Sequence, residues 1–402
     1  MSLSAPALPP LDARQRAAVT RLKLLYFMVF AAYGTTSIYR TLYYRRVGLS
    51  NSAVGALIAV QPLVMLVAGP LWSLLADRLN LRERLFTIVA LLSIVPMVAT
   101  AFCTRFWPLM AWDLLYAAIQ APMQPLMDSS AVTALGPRRH EYSVIRAFGS
   151  LGYAPMVYLT GVLVQHVDLR WSFAAYAVLM VIGAAVSLGV RSDEKALRVD
   201  LFGGLSAVGR DRAWLTMMAA LFVTMLLQGV TFNYAGLYLD TLGASESLIG
   251  LSGAIGSVSQ VLLMVTLLPG LVQRWSSERL MVFSMAMFAL RLAVWSFIPN
   301  AWAVAVTEVM MGITSGTAQV GAVDFAARRA PPGMAATSQA VMSSLVNGLG
   351  RATGSAIVGP MYDTIGPQAL FAWFMGCALV SALGFGGIWR REVRGAGSEG
   401  QA

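Results

Sequence analysis

The sequence predicts an all-α membrane protein of twelve transmembrane helices arranged as two pseudo-symmetric six-helix bundles. Three observations predict it. Twelve apolar stretches fill the chain, each near the ~20 residues that a helix with ~1.5 Å rise needs to cross a bilayer core about 30 Å thick. The composition is 57% hydrophobic and 12% charged, about half the charge of a soluble domain. The longest internal link is also the most polar, and it divides six stretches from six. Apolar runs such as 54–75 do not alternate, which excludes a β-barrel, the other fold that satisfies backbone polar groups in lipid.

In order, the helices of the first half span 22–44, 53–76, 85–103, 107–134, 143–166 and 171–190. Those of the second half span 214–240, 247–272, 279–298, 301–327, 335–360 and 367–389. Residues 1–190 form the N-terminal bundle, 191–213 a cytoplasmic linker rich in charge (Asp193, Glu194, Lys195, Arg198, Asp200), and 214–402 the C-terminal bundle. Lys and Arg set the orientation, because short cytoplasmic loops hold their excess. Of the 29, 21 fall on the side that holds both termini and only Arg45, Arg46, Arg105 and Arg170 on the other. Both termini are therefore expected in the cytoplasm, with the chain multi-pass in the plasma (inner) membrane. The leader carries Arg14, Arg16, Arg21 and Lys23 but no short apolar core ending in a small-residue cleavage site, so no cleaved signal peptide is expected.

The net charge of +10 would point a soluble protein toward nucleic acid; here the basic residues flank helix ends, and no nucleic-acid partner is expected. Cys103 and Cys377 stand in separate apolar segments and read as packing residues rather than a disulfide or metal pair. No embedded His/Asp cluster, Ser/His pair or phosphate-cradling loop supports an enzyme, and His140 and His166 both lie near loops. The expected partners are the lipid bilayer and a small-molecule substrate. The chain is expected to act as a monomer, with no cofactor.

Ionisable groups within membrane helices are costly, so each marks a functional hypothesis. Arg40, Arg146, Arg291 and Arg351 lie there, with Asp128, Glu308 and Asp324; Asp113 and Asp240 fall near outer helix ends and read as interfacial. Arg291 precedes the end of the ninth helix by about as much as Glu308 follows the start of the tenth, so across an antiparallel hairpin they share a depth and are expected to pair. Glu308 is the protonation candidate, the alternative being a purely structural pair. Asp128 and Arg146 are related in the same way across the fourth and fifth helices, as substrate site or as interfacial salt bridge. Arg351 sits among small residues in "NGLGRATGSAIVG". Arg40 reads either as a cavity residue or as a side chain that snorkels outward with Arg45 and Arg46. Gln228, Asn233 and Tyr234 in "LLQGVTFNYAGLY", and Gln260 on the eighth helix, read as lining of the second half of a cavity. Asp324, close to Arg328 and Arg329, reads as a helix-end cap. Four arginines against Asp128 and Glu308 would leave a cavity net positive, which leans toward a substrate bearing a carboxylate or another acidic group.

The halves look alike: the second helix ends in "LLADRLNLRER" and the eighth in "LPGLVQRWSSER", internal symmetry of the kind that marks transporter folds. The link "SLLADRLNLR", containing Asp77 and Arg78, is similar to the loop signature of the major facilitator superfamily, with Ser73 and Asn80 in place of the usual glycines. More narrowly the chain resembles the lactose permease branch, whose relatives carry oligosaccharides, nucleosides and phenylpropionate. The stretches "LLADRLNLRERL", "MDSSAVTALGPRRHEYSVIRAFGSLGY", "MFALRLAVWSF" and "VGPMYDTIGPQALF" carry this resemblance. It implies that Arg291 matches an arginine used in proton coupling, while the histidine and glutamate of that relay fall near Met311 and Thr314 and are absent. It also implies that Asp128 and Arg146 match residues that hold the sugar, and that Asp77 and Arg78 form a conformational loop. The function it implies is secondary active transport, with a proton as coupling ion, of a small polar or anionic organic solute by alternating access. The alternative is proton-driven efflux of drugs or metabolites, although "GSLGYAPMVYLTG" lacks the fifth-helix signature of exporters; a membrane enzyme or sensor is the third class.

Overall fold

The computed structural model describes residues 12–79, 84–189, 211–329, 342 and 348–399, and these are helical throughout, joined by short turns. The first half contributes α1 (Ala13–Thr36), α2 (Tyr39–Arg46), α3 (Asn51–Leu79), α4 (Leu85–Thr100), α5 (Phe106–Gln120), α6 (Met123–Leu135), α7 (Tyr142–His166) and α8 (Trp171–Ser187). The second contributes α9 (Arg212–Thr241), α10 (Glu246–Thr266), α11 (Leu268–Arg274), α12 (Ser277–Phe297), α13 (Ala301–Val306), α14 (Met311–Arg329) and α15 (Gly348–Glu399). The charged link over 190–210 lies outside the described residues.

Local chemistry sets the helix starts. A capping box begins α1: Asp12 Oδ1 accepts from the Gln15 backbone N–H at 2.7 Å and Gln15 returns the bond to the Asp12 N–H at 3.0 Å, satisfying donors that a helix N-terminus leaves free. The Ser245 and Ser276 hydroxyls cap α10 and α12, accepting from the Leu248 and Arg279 backbone N–H.

Several expected helices are broken. The first is two, α1 and α2, divided at Ser37–Ile38 just after Thr35, whose hydroxyl bonds back to the Ala32 carbonyl at 2.8 Å; such back-bonding bends helices. The fourth breaks at Pro122, which has no N–H to offer the Ala118 carbonyl. That carbonyl accepts instead from the Trp72 indole on α3 at 2.6 Å. The tenth runs α13, a 3₁₀ turn over Thr307–Met310, then α14. In the opposite sense, α15 joins two membrane segments at Gly366, whose φ of 76° only glycine adopts readily. Among the described residues, seven helical stretches are long and apolar enough to cross a membrane, α1 with α2 counting as one. The remaining segments fall short because they are broken or, like α4 and α8, have 16 and 17 residues. Of the expected eleventh helix, 335–341 and 343–347 lie outside the described residues.

Large apolar side chains such as Val67, Val265, Val380 and Leu383 stay exposed; in water so much apolar surface would be a liability, and against lipid it matches the solvent. One apolar core fills the first half and crosses into the second, bringing Tyr39, Val54 and Val157 together with Tyr234, Ile249 and Val358. A separate core of Trp214, Met217, Phe325 and Trp389 belongs to the second half alone.

The polar contacts between halves among the described residues share one end of the molecule, the end poor in Lys and Arg. Asp363 accepts from the Ser52 N–H (2.8 Å), the Ser52 hydroxyl (2.6 Å), the Asn51 amide (2.7 Å) and the Asn51 N–H (3.2 Å), and so caps α3 from across the seam. Arg46 pairs with Glu246 at 2.7 Å and lies 3.6 Å from Asp240, while Gln165 accepts from the Ser247 N–H at 3.3 Å. Backbones nearly touch here: a Cβ on Gly250 would lie 2.6 Å from the Val157 carbonyl oxygen, and one on Gly359 2.9 Å from Ser52 Cα. Small residues permit that approach. At the opposite end, bonds such as Arg21 to the Gly189 carbonyl and Trp214 to the Arg329 carbonyl remain within one half.

Candidate substrate and proton site

Arg291 on α12 and Glu308 in the 3₁₀ turn are brought together as the hairpin count predicts, forming a hydrogen-bonded ion pair with side chains 2% and 6% exposed. The Arg291 guanidinium also stacks over Trp295 at 5.0 Å, and the Trp295 indole donates to Thr307 at 2.8 Å. Glu308 Oε1 accepts from Arg291 Nη2; Oε2 faces Gly256 on α10, where an added Cβ would lie 3.2 Å from it. Arg291 Nε is buried without a partner. A buried charge is tolerable only when paired, so whatever changes the charge of Glu308 must also disturb Arg291.

Arg351 is different. Its Nη2 and Nε donate to the Gln228 side-chain carbonyl at 2.7 and 3.2 Å, and the Gln228 amide donates to Ser315 at 2.6 Å. No carboxylate lies within ion-pair distance of it among the described residues, and the sequence from 330 to 350 contains no Asp or Glu. Arg40, Arg146 and Arg291 each have an acidic neighbour; Arg351 has only a neutral amide.

In the first half, Asp128 on α6 collects its bonds on one oxygen: from the Tyr26 hydroxyl, the Tyr142 hydroxyl (2.6 Å) and the Gln124 amide (2.8 Å). Arg146 on α7 lies 3.7 Å from the same oxygen with its side chain 51% exposed, and it touches the Tyr142 hydroxyl at 3.4 Å. Among the described residues, the second Asp128 oxygen and the remaining donors of the Arg146 fork keep hydrogen-bonding capacity to spare.

Other expectations fare unevenly. Asn233 donates to the Ser355 hydroxyl at 2.7 Å and is half-buried, while Gln260 is half-buried on α10. Tyr234 is fully buried at the seam, bonded to the Ser355 carbonyl at 3.1 Å. Asp324 bonds Arg328 at 2.6 Å and accepts from Ser277 at 2.5 Å, tying the end of α14 to the start of α12. The Asp77 side chain lies outside the described residues, and Arg78 is exposed at the end of α3.

Asp113 is the main correction. Read as interfacial, it is 4% exposed. The Tyr44 hydroxyl donates to it, shared between both oxygens at 2.7 Å, and Arg40 lies 3.6 Å away. Arg40 does not snorkel: its side chain is 14% exposed, lies over Tyr116 at 5.4 Å and donates to Gln61 at 2.9 Å. Gln61 in turn donates to Gln120 at 2.6 Å, beside the break in the fourth segment. Neither glutamine was singled out by the sequence reading, although each interrupts an apolar run.

The MFS_1-like family model matches residues 19–373. The maltose permease of Geobacillus stearothermophilus is 28% identical over 385 residues, covering 94% of this chain and 96% of the relative. A probable 3-phenylpropionic acid transporter of Escherichia coli is 28% identical over 264 residues, covering 60% and 65%. In fold, the chain is similar to the nucleoside transporter NupG, with a TM-score of 0.81 at 15% identity over 92% of this chain and 99% of that one. An all-helical membrane fold, charge buried among its helices and a family match across nearly the whole length agree: the chain belongs to the MFS_1-like family of major facilitator transporters, is a secondary transporter of the membrane, and is not an enzyme.

Proposed function

We propose that the chain is a proton-coupled symporter of a small organic anion, working by alternating access between two bundles, as a monomer with both termini in the cytoplasm. Arg351 carries this reading. A half-buried arginine among membrane helices is costly without a counter-charge, and a bound carboxylate supplies the one that the described residues do not. Maltose, after which one relative is named, would leave that charge uncompensated; 3-phenylpropionate, after which another is named, would not. The Arg291–Glu308 pair supports proton coupling, since a buried carboxylate that gives up its arginine returns to a neutral state by taking a proton. The seam, closed at one end among the described residues, supports alternation: opening that end requires Asp363, Arg46 and Gln165 to release their partners.

The experiment is uptake into proteoliposomes of radiolabelled 3-phenylpropionate, benzoate, maltose and uridine under an inward proton gradient. Uptake of a carboxylate, abolished by a protonophore and retained without sodium, is the expected result. Uptake undiminished by protonophore contradicts proton coupling, and uptake of maltose or uridine alone contradicts the anionic substrate. Accumulation only under the opposite gradient would favour efflux.

A further inference from the structure

Asp113 and Glu308 occupy the same register in the two halves. α5 starts at Phe106 and α13 at Ala301, the first helices of the fourth and tenth segments. Aligned on those starts, Trp107 matches Trp302, both facing outward (76% and 62% exposed); Leu109 matches Val304, both fully buried; and Asp113 matches Glu308, at 4% and 5%. Each carboxylate stands beside an arginine from a neighbouring segment, and each arginine lies over an aromatic ring, Tyr116 for Arg40 and Trp295 for Arg291. The carboxylate position thus recurs in both halves, whereas the arginine is supplied differently, Arg40 from the first segment and Arg291 from the ninth.

The two copies differ in how the arginine is spent. Arg291 hydrogen-bonds its carboxylate directly, whereas Arg40 gives its hydrogen bond to Gln61 and stays 3.6 Å from Asp113. The Asp113 charge is therefore held by one tyrosine hydroxyl and a loose Coulombic contact, far from the bidentate fork of a permanent arginine pair. If Asp113 became neutral, Arg40 would keep Gln61, and the Tyr44 oxygen would accept from the new carboxyl O–H in place of donating. Among the described residues the titratable and charged groups around it are Arg40 and Tyr44 on α2 and Tyr116 on α5 itself, with Tyr176 of α8 against Tyr116; α4 has none and α3 offers Gln61.

We propose that Asp113 is a second proton-binding site, the counterpart in the first half of Glu308 in the second. The step is proton transfer from water to a carboxylate oxygen and back, with no other bond made or broken. It connects to the seam through α2, whose eight residues carry Arg40 and Tyr44 toward Asp113 and Arg46 toward Glu246 and Asp240. This inference rests on the proton-coupled reading but is separable from it.

The test is pH-difference infrared spectroscopy of the purified full chain in lipid nanodiscs, following the C=O band of protonated carboxyl groups, with no substrate added. The expected result is a titrating band that is lost in Asp113→Asn, retained in Glu308→Gln and returned at a shifted frequency in Asp113→Glu, which also serves as the folded control. A wild-type spectrum in which no titrating band depends on Asp113, whether because it stays ionised or stays neutral at every pH, overturns the proposal. Loss of the Glu308 band in Glu308→Gln, together with protonophore-sensitive uptake, would then leave the coupling reading intact.

Discussion

Removing the Asp363 carboxylate should open the sealed end. Its four hydrogen bonds exist only while the two halves meet, so their whole net value counts toward the closed state. Loss of a helix N-cap costs typically ~1 kcal/mol, and bonds to an ionised acceptor are worth more than neutral ones. Against this, the α3 donors freed by Asp363→Ala are near the membrane surface and regain water. About 1–2 kcal/mol results, a factor of roughly 5–30 in the closed-to-open ratio. From a starting ratio of about 99:1 the open fraction would rise to roughly 5–25%. Nitroxide labels at the exposed positions Phe102 and Ile298, one on each half at that end, read this by pulsed electron spin resonance once Cys103 and Cys377 are replaced. A second, longer distance in Asp363→Ala is expected, weaker in Asp363→Asn, which keeps one acceptor oxygen. Identical distance distributions in all three proteins would refute the latch.

The same joint has a defined acid response. Burial works against ionisation of Asp363, but the hydrogen bonds from Ser52 and Asn51 outweigh it and hold the carboxyl below the usual carboxylate range. A depressed group stabilises above its unperturbed value, about 3.9 for Asp, and loses that contribution as pH falls through its own lower value; the label distance should therefore stay constant from about pH 8 to 5 and lengthen only below about 4. Arg291→Gln should destabilise strongly by stranding Glu308, by about 3–5 kcal/mol, while the double change Arg291→Gln/Glu308→Gln regains thermal stability without proton-driven uptake; full uptake in the double variant would make the pair architecture. Arg146→Lys should leave thermal stability unchanged, as half-exposed salt bridges contribute about 0–1 kcal/mol, yet weaken substrate affinity by about tenfold, roughly 1.4 kcal/mol. Near-normal affinity in that variant would remove Arg146 from the substrate site.

The membrane fold was legible because lipid imposes one length and one composition on every segment, and the family match agrees with that reading. The Arg291–Glu308 and Asp128–Arg146 juxtapositions were legible for a related reason: both straddle a short antiparallel hairpin, where counting from the turn gives depth. That count failed for Asp113. It places a residue along a straight helix but does not say what covers it, and α2, set off from α1 by the break at Ser37–Ile38, brings Tyr44 and Arg40 over the carboxylate. Pro122 was visible inside an expected continuous span, whereas the 3₁₀ turn at Thr307 has no proline or glycine to announce it. Asp363 lies 312 residues from Asn51, a contact between halves that no periodicity within either half encodes. Tyr234 drew attention as a polar aromatic in a polar run, but its hydroxyl spends its bond inside the seam.

Arg351 decides the central claim, that an arginine with no carboxylate partner among the described residues holds the place of an anionic substrate. The direct measurement is calorimetric binding to the full chain in nanodiscs of carboxylates paired with their uncharged amides, 3-phenylpropionate and 3-phenylpropionamide among them, for wild type and Arg351→Gln. A hydrogen bond to a charged group is worth about 1.5–3 kcal/mol, so the wild type should prefer the carboxylate by about tenfold or more, and Arg351→Gln should erase the preference. Equal affinity for acid and amide in the wild type, or a preference that survives in Arg351→Gln, would contradict it.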